Sequence, residues 1–150
     1  MRTPTPRRFR KVNRHALRST YEHKSCALRF GTHGLQATET GFVTARQLEA
    51  VRRTLTRRLQ RKGKVWLLAT PDYPRTAKPK EVRRGRGKGN VAEWVCVIKP
   101  GRILLEARAA PRDYPRLAEA LAVARRKLPV FAQLVTRVIL SYSLVLYVFA

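Results

Sequence analysis

The residues with most capacity for chemistry form one run, Glu81-Val82-Arg83-Arg84-Gly85-Arg86-Gly87-Lys88-Gly89-Asn90, preceded by Lys80. Four cations, with Lys80 a fifth, sit here among three alternating glycines, and a strand-like stretch, 91–100, follows directly. Alternating glycine removes the side chains that would hold the backbone in one shape. Such a loop builds no core, but it can bend along a phosphate backbone and lay Arg83, Arg84, Arg86, Lys80 and Lys88 against it. Its rivals are a solvated basic loop without a partner and a nucleotide-binding P-loop. The P-loop needs Gly-x4-Gly-Lys-Ser/Thr between a strand and a helix. Lys88 is instead followed by Gly89 and Asn90, and then by a strand.

Composition points the same way. The 150 residues carry 33 Lys and Arg against 9 Asp and Glu, a formal charge of +24. A folded domain with that excess repels itself unless a polyanion neutralises it. The cations recur along the first two thirds of the chain, which implies contact with RNA on many sides. No paired carboxylates, nucleophile–base motif or metal-ligand cluster stands out, so neither an enzyme nor a cofactor is expected. Cys26 and Cys96 are too isolated for a zinc site. Free, buried thiols in a reducing compartment are the expectation, with a disulfide left open.

The elements that must position the loop can be read in order. Residues 1–24 hold eight Lys or Arg and one acid, without an apolar period. They read as an extended basic tail, preferred here to an organellar presequence. Cys26–Gly31 and Gly34–Glu39 read as short strands around a turn containing His33, to which no catalytic role is given. Thr44 caps a helix from about Ala45 to Arg61, ended by Gly63. Its apolar face is Ala45, Leu48, Val51, Leu55 and Leu59. Arg46, Arg53, Arg57 and Arg61 lie opposite, and with only Glu49 available for pairing this stripe suits phosphate contact.

Lys64–Ala69 reads as a strand, and Pro71, Pro74 and Pro79 punctuate a loop into the arm. The stretches 91–98 and 102–107 read as a hairpin turned at Lys99-Pro100-Gly101. Trp66 and Trp94 are expected in the core, with base stacking as the alternative. Asp113 caps a second helix with Leu117, Leu121, Ala124 and Leu128 inward, stopped by Pro129. Residues 130–138 make a final strand. The apolar run 139–150 is too short to span a bilayer and reads as an appended strand or short helix, so no stable membrane insertion is expected.

Several stretches in this order resemble one family, the bacterial and organellar large-subunit ribosomal protein L-sixteen. They are Arg8-Phe9-Arg10-Lys11, Phe30-Gly31 with Gly34-Leu35, and Thr44-Ala45-Arg46-Gln47 running into Leu48-Glu49-Ala50-Val51-Arg52-Arg53. Arg61-Lys62-Gly63-Lys64-Val65-Trp66 follows, then Lys78-Pro79-Lys80-Glu81-Val82-Arg83, Gly85-Arg86-Gly87-Lys88-Gly89-Asn90-Val91 and Trp94. Pro100-Gly101-Arg102-Ile103-Leu104 and Lys127-Leu128-Pro129 complete the set. The match spans about residues 7–137.

The resemblance implies an α+β fold, a mostly antiparallel sheet with two helices, bound to large-subunit rRNA. The chain is expected to divide into a basic tail at 1–24, a domain at 25–137 and an apolar extension at 138–150 that goes beyond the family's usual end. In that family the protein sits below the central protuberance, joins late in assembly and helps position tRNA in the aminoacyl site, its arm aimed at the peptidyl transferase region. Carried over, Arg83, Arg84, Arg86 and Lys88 touch rRNA and tRNA backbone, and Arg7, Arg8, Arg10 and Lys11 thread into rRNA. Neighbouring large-subunit proteins are further partners, and none of these residues is catalytic.

The chain departs from the family at Glu39-Thr40-Gly41-Phe42, where a Gly/Arg-rich turn is usual, and in its apolar end. That drift favours a mitochondrial ribosome, with the bacterial cytoplasm as the alternative. Met1 aligns with the bacterial start, which leaves no room for a long presequence. The rival to a resident ribosomal protein is an assembly or free RNA-binding factor that leaves the mature particle.

Overall fold

Thr44 begins the first helix as the sequence requires. Its hydroxyl accepts the Gln47 N–H at 3.2 Å, and the Gln47 side chain accepts the Thr44 N–H at 2.8 Å, a complete capping box. Helix α1 runs Ala45–Arg58 and buries Leu48, Val51 and Leu55. Gly63 does not end it. Gln60 and Arg61 take the left-handed conformation (φ 50° and 62°), and the Arg61 N–H reaches back to the Thr56 carbonyl at 3.1 Å. Gly63 serves close packing instead: a Cβ there would stand 2.9 Å from the Arg108 carbonyl oxygen.

The computed structural model describes residues 11–13, 17, 19–81, 83, 85, 87–139 and 145–149, the last strand and residues 138–139 by backbone only. Around α1 come β1 (His33–Ala37), β2 (Gly41–Thr44), β3 (Lys64–Leu67), β4 (Tyr73–Ala77), β5 (Asn90–Ile98) and β6 (Ile103–Arg108). A 3-10 turn at Pro111–Asp113 leads into α2 (Tyr114–Arg125), followed by β7 (Ala132–Ile139) and β8 (Val145–Phe149). The strands form two sheets, ordered β3-β6-β1-β7-β8 and β2-β5-β4, with every pairing antiparallel. The expected α+β class holds, divided over two sheets.

The hairpin expected between β5 and β6 does not form. Both edges of β5 are taken by β2 and β4, and both edges of β6 by β1 and β3. The link between them is a corner that passes the chain from one sheet to the other. Gly101 (φ +86°) makes it, under the ring of Tyr21, while its N–H and carbonyl bond to the Ala37 carbonyl and the Gln36 side chain at 2.7 Å each. A bulge at Leu35/Gln36 leaves Leu104 without a partner in β1, and Leu104 and Leu105 both join the main core. That core gathers α1, α2 and both sheets through Leu48, Val51, Leu55, Leu117, Leu121 and Ile98.

Other expectations are corrected. Cys26–Gly31 is not a strand, and His33 lies in β1 rather than in a turn. The N–H groups of Arg29, Phe30 and Gly31 are drawn away from any ladder by the Glu106 carboxylate, at 2.9, 2.6 and 2.6 Å. Pro74 lies within β4, which is tolerable because β4 is an edge strand and needs no N–H there. Gly41–Thr44 is a strand the sequence reading passed over. Neither tryptophan belongs to the buried core. Trp66 is half-buried against Phe30, and half-buried Trp94 lies opposite Pro74. Asp113 precedes α2 but makes no side-chain cap bond. Both cysteines are free, Cys96 buried and Cys26 half-buried; burial pushes the Cys96 thiol up.

Candidate nucleic-acid interface

The arm is the long connection of the β4–β5 hairpin. Ala77 pairs with Asn90 at its neck, and Gly89 is required there because a Cβ would lie 2.7 Å from the Ala77 carbonyl carbon. At the tip Gly87 takes φ +67°, its N–H bonded to the Gly85 carbonyl at 2.6 Å. Lys78, Lys80, Arg83 and Lys88 are all exposed. Lys80 and Arg83 have no ion-pair partner among the described residues. Arg84 and Arg86 lie outside the described residues.

Two regions that the sequence places separately meet at this arm. Lys11 Nζ donates to the Lys88 carbonyl at 3.1 Å, and Lys88 Nζ donates to the Val12 carbonyl. Tyr73 Oη donates to the Asn13 carbonyl at 2.8 Å. The middle of the basic tail, at Lys11–Asn13, is therefore laid along the base of the arm. Arg7, Arg8 and Arg10 lie outside the described residues. Farther along, the Glu22 N–H bonds to the Pro100 carbonyl at 2.8 Å, so the segment leading into the domain is held at the inter-sheet corner.

A second basic surface lies between α1 and α2, a groove of about 620 Å³. Arg46, Arg53 and Arg57 line it from α1, as the periodicity predicts, and all three are exposed. Arg61 does not belong to this stripe; it sits beyond the helix in the left-handed turn. Sequence reasoning missed Arg58 and Lys127, which complete the groove. Arg58 pairs with Glu119 at 2.8 Å, and Lys127 Nζ donates to Thr54 Oγ1 at 2.6 Å. The signal available was the Arg125-Arg126-Lys127 cluster at the end of α2, which packs beside α1.

Glu49 is the groove's one carboxylate among the described lining residues, and it is fully engaged. It accepts Arg52 Nε and Nη2 at 2.9 and 2.7 Å, and Arg53 Nε at 3.0 Å. The Arg52 hydrogen bond above all, with help from Arg53, pulls its carboxyl down to about 2 against a smaller opposing effect of burial. Arg53 is thus partly neutralised. Arg46 and Arg57 have no carboxylate partner among the described residues. None of the arm's described residues lines this groove, so the described residues present two separate basic surfaces.

Among the described residues no group of three His, Cys, Asp or Glu could hold a metal, and no helix is long and apolar enough to cross a membrane. His33 is buried in β1, with Thr32 Oγ1 at 3.0 Å from Nδ1 and the Tyr114 ring at 4.9 Å. Burial lowers its pKa from the usual histidine value. Its neighbours are those of a packed core histidine.

Comparison with known proteins agrees with this geometry. The family model described as ribosomal protein L16p/L10e matches residues 4–135. A large ribosomal subunit protein uL16 of Acinetobacter baumannii strain AYE is 48% identical over 141 residues, covering 93% of this chain and all of the relative. The protein of the same name in Pseudoalteromonas atlantica is 44% identical over 140 residues, with the same coverage. With the arm, the tail and the capped Arg helix in one order along nearly its whole length, the chain belongs to the ribosomal protein L16p/L10e family.

Proposed function

We propose that this protein is a structural constituent of the large ribosomal subunit that binds large-subunit rRNA. The observation that carries the reading is the union of tail and arm in a chain of net charge +24, Lys11 and Lys88 each bonded to the other's segment. Arg83, Lys80 and Lys88, with Arg84 and Arg86, follow rRNA backbone, and Arg7, Arg8, Arg10 and Lys11 extend the same track. Arg46, Arg53 and Arg57 contact a second phosphate run, with Arg58 and Lys127 beside them. Arg61 adds a contact beyond the helix.

The finer part of the proposal is that the arm helps position tRNA near the aminoacyl site and peptidyl transferase centre. That rests on the arm motif, whose described cations Lys80, Arg83 and Lys88 are exposed. The protein supplies position and charge, and no step of chemistry passes through its side chains. Neighbouring large-subunit proteins are its protein partners. The tail (1–24), body (25–137) and apolar extension (138–150) divide these tasks. The relatives compared are bacterial, which favours the bacterial cytoplasm over the mitochondrial matrix preferred from the sequence.

Sedimentation of tagged protein through gradients at low and high salt tests the reading. Co-migration with the large subunit at both salt levels is expected. Release to the top of the gradient at moderate salt would replace the reading with that of an assembly or free RNA-binding factor.

A further inference from the structure

Outside the two basic surfaces, one aromatic pair is not explained by folding. Phe30 is 55% exposed, yet its ring is stacked on Trp66, with centroids 6.0 Å apart and planes 27° from parallel. The arrangement is built. Trp66 stands directly opposite Glu106 in the β3–β6 pairing, and Glu106, wholly buried, fixes the backbone of Arg29, Phe30 and Gly31 through three N–H groups. Gly31 lies so close to β6 that a Cβ would stand 2.7 Å from the Ala107 carbonyl oxygen. The segment is thereby clamped onto the sheet with Phe30 over Trp66.

Beside the pair opens a largely apolar cleft of about 470 Å³ between α1 and the free edge of β3, with Phe30, Trp66, Pro71, Arg52 and Glu49 in its lining. Exposed cations neighbour the pair in sequence and register: Arg29 adjoins Phe30, Lys64 precedes Trp66 by two residues, and Arg108 lies opposite Lys64. The Arg52 guanidinium is held flat at the cleft by its two-point bond to Glu49. An apolar peptide would gain little from these neighbouring positive charges, whereas a polyanion carrying planar bases matches both parts of the site.

We infer that the Phe30–Trp66 pair is a stacking platform for one unpaired nucleobase of bound RNA, with Arg29, Lys64 and Arg108 on the flanking phosphates and Arg52 at the base edge. Proteins that hold single-stranded RNA combine such aromatic faces with a positive track. The inference rests on the RNA-binding reading above and adds a base contact to its phosphate contacts.

The test uses the full chain carrying Trp94→Phe, so that Trp66 is the sole tryptophan, titrated with single-stranded oligoadenylate and with an abasic oligoribonucleotide of equal length. Oligoadenylate is expected to quench Trp66 and to bind roughly 5- to 150-fold tighter than the abasic strand, the range for one stacked base. Phe30→Leu, at an exposed position and checked by its unchanged melting temperature, should abolish most of that excess while leaving abasic binding and its salt slope intact. Arg52→Gln should reduce the excess in the same sense. An unchanged ratio in Phe30→Leu, or equal binding of the two strands by the parent, overturns the platform and leaves phosphate binding standing. Failure of the parent to bind either strand overturns both readings.

Discussion

Replacing Glu106 with Gln should destabilise the protein by about 2–4 kcal/mol. The carboxylate lies fully buried and accepts three backbone N–H groups, two of them at Oε2 and one at Oε1. Gln keeps one acceptor oxygen. If that oxygen takes the Phe30 and Gly31 N–H groups, the side-chain amide must turn its own N–H towards the Arg29 N–H. One bond to a charged acceptor, worth roughly 1.5–3 kcal/mol, is lost. A donor-to-donor contact replaces it. The bonds to Arg29 and Phe30 are only partly buried, so water recovers some of the loss there and keeps the total near the lower end. Glu106→Ala strands all three donors and should cost about 3–5 kcal/mol.

Urea unfolding at fixed salt measures this directly: the midpoint should fall for both variants while the slope stays constant. Phe30 should also become more mobile, because its backbone anchor is the group removed. A Glu106→Gln midpoint equivalent to less than about 0.5 kcal/mol, the usual scale of a neutral surface change, would refute the reasoning.

His33 sets a pH dependence. Its folded pKa is lowered by burial, so the unfolded chain binds the extra proton first. The stability contribution is complete above about pH 6.5 and is lost as the pH falls below that value towards the folded pKa. His33→Gln should flatten this part of a stability–pH profile, and an unchanged profile would show that His33 is not its source. Gly89→Ala drives a Cβ into the Ala77 carbonyl and should lower stability by about 1–3 kcal/mol in a thermal melt, with the neck of the arm spread. Joint replacement of Arg83, Arg84, Arg86 and Lys88 by Ala should weaken RNA and tRNA binding, with a salt slope reduced by up to about three or four, while the melting temperature changes little. Equal loss of binding and stability would count against the arm as a binding element.

Much of this fold is legible in the sequence where the cause is local. Thr44 and Gln47 declare the start of α1 by their spacing, and Leu117, Leu121 and Ala124 declare the inward face of α2. The errors arise where tertiary contacts override local pattern. Lys99-Pro100-Gly101 has the composition of a hairpin turn, but whether β5 and β6 pair depends on which strands already occupy their edges. The 26–31 stretch alternates like a strand, yet a carboxylate 75 residues away takes the Gly31 N–H. In the interface, the Arg46–Arg53–Arg57 stripe follows from helical periodicity alone. Arg58 and Lys127 emerge only when α2 is packed beside α1, and no spacing rule joins Lys11 to Lys88.

That last junction has a consequence for the RNA grip proposed above. Because the tail and the arm are tied side by side, capture of a phosphate run by one brings the other to it at high effective concentration. The two segments then behave as a bivalent ligand whose second contact is intramolecular. Release requires both to let go within the same interval, so dissociation slows by more than either segment achieves alone. Loosening the link with Tyr73→Phe, which removes the hydroxyl bonded to the Asn13 carbonyl and leaves every cation in place, should speed dissociation.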